Sequence, residues 1–302
     1  MIDGELTAAD KKTDNSGLID ISEIITEVYY KIFSDCDIQS LKTGFKSIDE
    51  ITTGLHPGEY VVIGARPSMG KTAFALNVLE YAGIKSKKSV LYFSLSENRN
   101  QIGLRMVSLL SCIDACSLKA HKISDSDRRK LQDIAENISS SSIIIDDTPD
   151  ITVTEIDSKC RRMQSDRGLD LIIIDYLQLI NVEDPKAFGN REQELSYISR
   201  SLKALSYEYT CPVVVLSQLS RSVEGRRDKR PMLSDLRGSG SIEEDADTVL
   251  FLFRDGYYHP DSEHRREAEV IIAKQRNGPI GTVRLRWLPD TGRFVDLRGL
   301  RL

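Results

Sequence analysis

The sequence predicts an α/β fold in which a mainly parallel β-sheet is flanked by helices. Three observations carry that expectation. Apolar, β-branched runs alternate with helical stretches along most of the chain, the pattern that gives a parallel sheet covered on both faces. A phosphate-binding loop, Gly64-Ala-Arg-Pro-Ser-Met-Gly-Lys-Thr72, stands between one such run, Tyr60–Ile63, and a helical pattern that starts at Ala73. A further run, Leu171-Ile-Ile-Ile-Asp175, ends in a carboxylate, the arrangement that holds Mg²⁺ through water beside such a loop.

In chain order, residues 1–17 are polar and charged and bury too little to order themselves, so a disordered tail is expected. Ile21, Ile24, Ile25, Val28 and Ile32 then recur at helical spacing, with Asp20 and Glu23 placed to form a capping box. This reads as one amphipathic helix of about four turns. Residues 18–40 are accordingly assigned to the helix and a polar hinge, and residues 41–302 to the main domain. The apolar stripe of the helix either packs back on that domain or docks on a neighbouring subunit, and spacing alone leaves both open. After the phosphate loop, strands are expected at Ser89–Leu95, Ser142–Ile145, Leu171–Ile174, Pro212–Leu216 and Thr248–Phe253, with helical stretches such as Arg191–Tyr209 between them. Ala268–Ala273 and Gly281–Trp287, joined through an Asn-Gly-Pro turn, suggest a hairpin at one sheet edge.

The chemistry of the loop follows from its residues. Gly70 lets the backbone turn close to a triphosphate, Lys71 reaches the β- and γ-phosphates, and the Thr72 hydroxyl can bind Mg²⁺. Ala65 occupies the place of the first glycine in the general pattern, with Gly64 beside it. The candidate nucleotide site is therefore Ala65, Arg66, Pro67, Ser68, Met69, Gly70, Lys71 and Thr72, and the candidate metal residues are Thr72 and Asp175.

Bulk properties narrow the function only in part. A net charge of −5 argues against a protein that coats nucleic acid over its whole surface, while basic side chains concentrated in a channel remain compatible with it. No apolar run approaches the ~18 residues needed to span a bilayer, and Met1–Asn15 lacks a signal-peptide core, so a cytoplasmic location is the default. The five cysteines are scattered and read as reduced, mostly buried thiols, and the four histidines form no recognisable zinc constellation.

Five blocks in order resemble a known family. Ala65 to Asn77, Ile174-Asp-Tyr-Leu-Gln-Leu-Ile180, Leu216-Ser-Gln-Leu-Ser-Arg221, Lys229 to Arg237 and Ala273-Lys-Gln-Arg-Asn-Gly-Pro279 are similar to the motor domain of the DnaB-type replicative DNA helicases, and the likeness runs from about Leu18 to Arg293. A RecA-like recombination or clock-type ATPase would share the core, but the Asp-Tyr-Leu-Gln-Leu and Lys-Gln-Arg-Asn-Gly-Pro blocks fit DnaB better. The resemblance implies a RecA-like ATPase core, a ring-shaped hexamer, ATP with Mg²⁺ held between subunits, and single-stranded DNA threaded through the centre. It further implies that Gln218 senses the γ-phosphate, that Lys274 and Arg276 reach the ATP of the adjacent subunit with Arg276 as arginine finger, and that Arg237, Gly238 and Gly240 contact the DNA backbone. Two solvated charges on an edge strand is the plainer reading of Lys274 and Arg276. Arg221 to Arg230, with five basic and two acidic residues, reads as a flexible lining loop or as a solvated charge run. The helix near Asp20 resembles the family's linker helix, which tilts its reading towards an intersubunit contact.

Three departures from the family stand out. Nothing in the sequence corresponds to its N-terminal collar domain, which takes part in primase and loader contacts, so the chain is expected to be a fragment, a processed form or a minimal version. Gly238 replaces the usual glutamate of the DNA loop. After Phe93-Ser-Leu95 the family has Glu-Met, and that glutamate polarises the attacking water; here the pair is Ser96-Glu97. Side chains alternate along a strand, so Glu97 should point away from the site unless the chain bulges or has already left the strand. The leading expectation is an ATP-driven helicase with catalytic Lys71, Glu97, Gln218, Lys274 and Arg276; the alternative is a catalytically weakened ATP- and DNA-binding ring subunit.

Overall fold

The strands are β1 (Tyr60–Ala65), β2 (Val90–Ser94), β3 (Ile143–Asp146), β4 (Leu171–Asp175), β5 (Val213–Gln218), β6 (Thr248–Phe253), β7 (Glu267–Gln275), β8 (Gly281–Leu288) and β9 (Arg293–Asp296). They form one sheet in the order β3-β2-β4-β5-β1-β6-β7-β8-β9. β1 to β6 pair in parallel, and β6 to β9 pair antiparallel. This is a computed structural model that describes residues 19–33, 40–236 and 240–297. The tail expected at residues 1–17 lies outside them.

The chain divides into two units, residues 1–39 and 40–302. The first contains α1 (Ile21–Phe33). The Asp20 carboxylate accepts the Ser22 N–H at 2.8 Å and the Ser22 hydroxyl at 2.6 Å, while the Glu23 N–H goes to the Asp20 carbonyl. The cap bond therefore forms one position earlier than a capping box would place it. Ile21, Ile24, Ile25, Val28, Tyr29 and Phe33 are exposed; the side chain of Ile32 lies outside the described residues.

The second unit holds α2 (Lys46–Thr52), α3 (Lys71–Leu79), α4 (Arg99–Ser111), α5 (Ala115–Lys119), α6 (Asp125–Ile138), α7 (Val153–Arg167), α8 (Arg191–Glu208), α9 (Gly240–Asp245) and α10 (Asp255–Tyr258). Alternation along the strands sorts side chains between two cores. Val61, Ile63 and Ala65 join Phe74, Leu76, Met106, Trp287 and Phe294 on one face, while Tyr60 and Val62 join Ile156, Met163, Ile198 and Leu202 on the other. The central strand β1 is buried at every position, as a parallel strand covered on both faces should be. No described helix is long and apolar enough to cross a membrane.

Two expectations need correction. The β7–β8 hairpin forms but is not the sheet edge, because Pro289–Gly292 turns the chain back into β9, with Leu288 opposite Arg293 and Gly292 at φ +65°. Among the four described cysteines, Cys160 and Cys211 are buried, but Cys112 and Cys116 are exposed.

β9 matters to the site because Phe294, only 3% exposed, packs 4.5 Å from Trp287 and 5.6 Å from Phe74. A Cβ placed on Gly70 of the phosphate loop would lie 3.1 Å from its ring. Phe294→Ala is expected to cost about 3–5 kcal/mol, read as a lowered urea midpoint at unchanged slope, with ATP affinity weakened as the floor of the loop loosens.

Candidate functional site

The loop between β1 and α3 is built for an anion. Gly70 sits at φ +99° and ψ 24°, a left-handed conformation that a side chain resists, and no side chain caps the start of α3. The first N–H groups of that helix have no intrahelical acceptor and lie at its positive end, where a phosphate is favoured. The Lys71 ammonium folds back to the Ala65 carbonyl at 3.2 Å. Burial pulls its pKa down, against the opposing charge of Asp175. Arg66 is a different matter: its guanidinium, in a residue only 8% exposed, bonds the Leu219 carbonyl at 2.8 Å and Glu224 at 3.0 and 2.8 Å. It is committed within the fold rather than left for a ligand.

Asp175, at the end of β4, accepts the Thr72 hydroxyl at 2.6 Å and the Tyr92 hydroxyl at 3.1 Å. Burial raises the Asp175 pKa, opposed by those two bonds and by Lys71, and the charge of Glu97 raises it further. Burial also holds the Tyr92 phenol well above its ordinary range, so it serves as a neutral donor. Thr72 and Asp175 thus present two hard oxygen atoms side by side. Among the described residues no group of three or more His, Cys, Asp or Glu could hold a metal. That donor set fits Mg²⁺, which keeps several waters and takes one or two protein oxygens together with substrate phosphates.

Gln218, the exposed last residue of β5, stands in register with Ala65, so the sheet itself places it beside the loop. Its N–H donates to Gln178 Oε1 at 3.1 Å, and Gln178 Nε2 donates to Ser217 Oγ at 2.9 Å. The sequence block pointed to Gln218 but not to Gln178. It also missed Tyr92 and Arg254, which donates to the Ser68 carbonyl at 3.1 Å while its guanidinium lies 5.0 Å from the Trp287 ring centre. Tyr92 and Arg254 are long-range partners without a local signature, whereas Gln178 stands in the Asp-Tyr-Leu-Gln-Leu block, which by itself gives it no role.

β2 ends at Ser94, so Ser96 and Glu97 lie beyond the strand, and the alternation rule that would turn Glu97 away does not apply. Ser96 is exposed. The Glu97 carboxylate is only 21% exposed and takes Arg105 through two bonds, at 2.7 and 2.6 Å. Ser94 pairs with Asp175, the Leu95 N–H donates to the Asp175 carbonyl at 2.8 Å and the Ser94 hydroxyl donates to the Glu97 carbonyl at 2.5 Å, which places Glu97 on the Asp175 side of the loop.

Lys274 and Arg276 come together, but not through the alternation of a strand. A bulge shifts the register of β7 against β6 between Val249 and Leu250, and β7 ends at Gln275, one residue before Arg276. The two side chains instead converge on the last turn of α9. Lys274 donates to the Glu243 and Glu244 carbonyls at 2.6 and 3.2 Å, and Arg276 to the Glu244 carbonyl at 3.2 Å. Val61 pairs with Thr248 and Thr248 with Gln275, so both cations lie at the start of β1, whereas the loop follows its end. Roughly 13 Å of strand separates them, beyond the reach of either side chain to the chain's own loop.

Of the DNA-contact candidates, Gly240 opens α9, and Arg237 and Gly238 lie outside the described residues. Arg221 to Arg230 is not a free loop, although Arg221, Glu224, Arg227 and Asp228 in it are exposed. It contains a 3-10 turn at Arg221–Gly225, Arg226 pairs with buried Asp235, and Arg230 holds Glu269 through two bonds of 2.8 Å.

A family model described as the DnaB-like helicase C-terminal domain matches residues 40–296. The chain is 44% identical over 299 residues to the replicative DNA helicase DnaB of Geobacillus stearothermophilus, covering 98% of this chain and 66% of that protein. It is 44% identical over 291 residues to the replicative DNA helicase DnaC of Bacillus subtilis, covering 95% and 64%. Among solved structures, an isolated ATPase domain aligns with a TM-score of 0.87 and 40% identity, over 92% of this chain and 99% of that one. A DnaB-like replicative helicase studied with its primase aligns at 0.83 and 40% identity, over 93% and 67%. The chain therefore spans just under two thirds of the length of the two sequence relatives.

Proposed function

The chain belongs to the DnaB-like helicase C-terminal domain family, and from that membership we propose that it is the motor of an ATP-driven replicative DNA helicase, hydrolysing ATP between subunits of a ring to move 5′ to 3′ on single-stranded DNA. One observation carries the reading. The phosphate loop with Asp175 and Gln218, and the Lys274–Arg276 pair, occupy opposite ends of one sheet. Each is half of a site that a second copy would complete. Other copies of the chain in a six-membered ring, single-stranded DNA, a helicase loader and a primase, the last by likeness to the helicase studied with one, are the partners proposed with it.

In this reading the α3 N-terminus and Lys71 bind and orient the β- and γ-phosphates. Thr72 and Asp175 would hold Mg²⁺, which supplies charge neutralisation on those phosphates when bound. Tyr92 fixes the Asp175 carboxylate, and Gln218 contacts the γ-phosphate from the end of β5. Glu97 polarises the attacking water in place of the family's glutamate at position 96. Arg276 of the neighbouring copy neutralises charge that grows on the γ-phosphate oxygens. Residues 237–240 grip the DNA backbone through N–H groups and the charge of Arg237, contacts to phosphate that carry no sequence information.

The test is steady-state ATP hydrolysis with and without single-stranded DNA, with particle mass measured in parallel. Turnover stimulated by DNA in a species of about six copies is the expected result. Turnover by a monomer, indifferent to DNA, would overturn the reading.

A further inference from the structure

Arg276 lies one residue past the end of β7, where one backbone bond to Asp247 extends the pairing of Thr248 with Gln275; that bond fixes its backbone, yet the side chain of an arginine that acts across an interface must also be aimed. We propose that Asp247 is the positioning residue that aims it. The inference rests on the reading of Arg276 as the residue that completes a neighbouring copy's nucleotide site.

Asp247 stands in the two-residue link between α9, which ends at Asp245, and β6, which begins at Thr248. It grips Arg276 twice. Its backbone carbonyl accepts the Arg276 N–H at 2.9 Å, and its carboxylate pairs with the Arg276 guanidinium at 3.2 Å. Asp247 is itself anchored to the central strand and to α8. Its N–H donates to the Tyr60 carbonyl at 2.9 Å, its carboxylate accepts the Tyr60 N–H at 2.8 Å, and the same carboxylate pairs with Lys203. The anchored carboxylate is 14% exposed and the guanidinium it holds is 47% exposed. One end of the pair is fixed in the fold while the other faces outward.

The remaining guanidinium contact, to the Glu244 carbonyl, comes from the C-terminal turn of α9, where the helix dipole favours a cation. Lys274 uses the carbonyls of Glu243 and Glu244 in the same turn. The Glu244 bond uses one guanidinium hydrogen and the Asp247 carboxylate adds an ion pair at 3.2 Å, so most of the five guanidinium hydrogens are left to meet a phosphate. A carboxylate holding one nitrogen and a carbonyl holding the other set the plane of the guanidinium as well as its place, which a bidentate approach to phosphate requires. A misplacement of about 1 Å at such a group costs on the order of 10²-fold in rate.

Removing one member of a buried ion pair leaves an uncompensated charge, so Asp247→Asn is paired with the double variant Lys203→Gln/Asp247→Asn, which neutralises both members of the Lys203–Asp247 pair. The readouts are DNA-stimulated ATP turnover of the full chain and equilibrium binding of a fluorescent ATP analogue. Both variants should lose at least about tenfold in kcat with nucleotide affinity changed less than about threefold, the split expected of a group acting only in the transition state. Asp247→Glu, which keeps the carboxylate, should recover most of the loss. Asp247→Asn should add nothing to Arg276→Ala, because it acts through that residue. If Arg276→Ala abolishes turnover while the double variant keeps wild-type kcat, Asp247 does not aim Arg276 and the interface reading stands. If Arg276→Ala itself keeps wild-type turnover, the interface reading fails and this inference with it.

Discussion

Arg276→Ala is expected to lower DNA-stimulated ATP turnover by about 10³-fold or more, on the scale of an arginine finger, while ATP still binds. The argument is one of distance. Arg276 is held beside the first residues of β6, and the loop follows the last residue of β1, so its effect has to be exerted on another copy. Mixing separates this from a local effect. Lys71→Ala disables the loop of its own subunit and should be comparably inactive. In a mixed ring, an interface that joins the intact loop of an Arg276→Ala subunit to the intact arginine of a Lys71→Ala subunit contains both halves. Turnover should therefore rise when the two inactive proteins are combined and pass through a maximum near equal amounts. A mixing curve that stays flat would place both residues at one site of one chain.

The second large effect concerns the attacking water. Glu97→Ala is expected to reduce kcat by about 10² to 10⁴, the usual range for loss of a general base. Its carboxylate lies past the end of β2, its charge acts on Asp175, and Arg105 grips both oxygens. Charge-assisted bonds of this kind orient a carboxylate as well as stabilise it. Adding Ser96→Glu to Glu97→Ala should restore turnover by returning the carboxylate to the family's position. Single-turnover hydrolysis is the measurement, because it isolates chemistry from product release. Wild-type single-turnover rates in Glu97→Ala would show that the water is polarised by another group.

The sequence revealed those parts of the fold whose signal is local. The five runs from Ser89 to Phe253 were legible because parallel strands are continuous apolar stretches, even at the sheet edge, where β3 is only partly buried, and the loop because its glycine and lysine obey a fixed spacing. β9 was not, since Arg293–Asp296 spans only four residues, too few for a period to emerge. The place of Asp175 at the end of its strand was legible, whereas Tyr92, which shares its carboxylate from 83 positions away, was not. For Glu97 the sequence left two outcomes open, turned away by strand alternation or freed by the end of the strand, and β2 ending at Ser94 selects the second. Lys274 and Arg276 were correctly put side by side on a wrong ground, because it is the carbonyls of α9 that gather them. The basic segment from Arg221 looked free because its partners, Asp235 and Glu269, come from other elements.

The position of β1 governs how the chain can fold while it is being made. Its neighbours in the sheet are β5 and β6, so Tyr60 to Ala65 must wait for partners that begin at Val213 and Thr248. At about 5–20 residues per second, the gap of about 150 residues corresponds to roughly 8–30 s of synthesis. Throughout that interval an apolar strand is without its ladder on either side, and the Lys46 and Ser47 N–H groups wait longer still, for an acceptor at Asp296. The nascent chain should therefore remain sensitive to protease and bind chaperones until translation passes β6. Its contact order is high by construction, and refolding in vitro should be slow and prone to aggregation for the same reason.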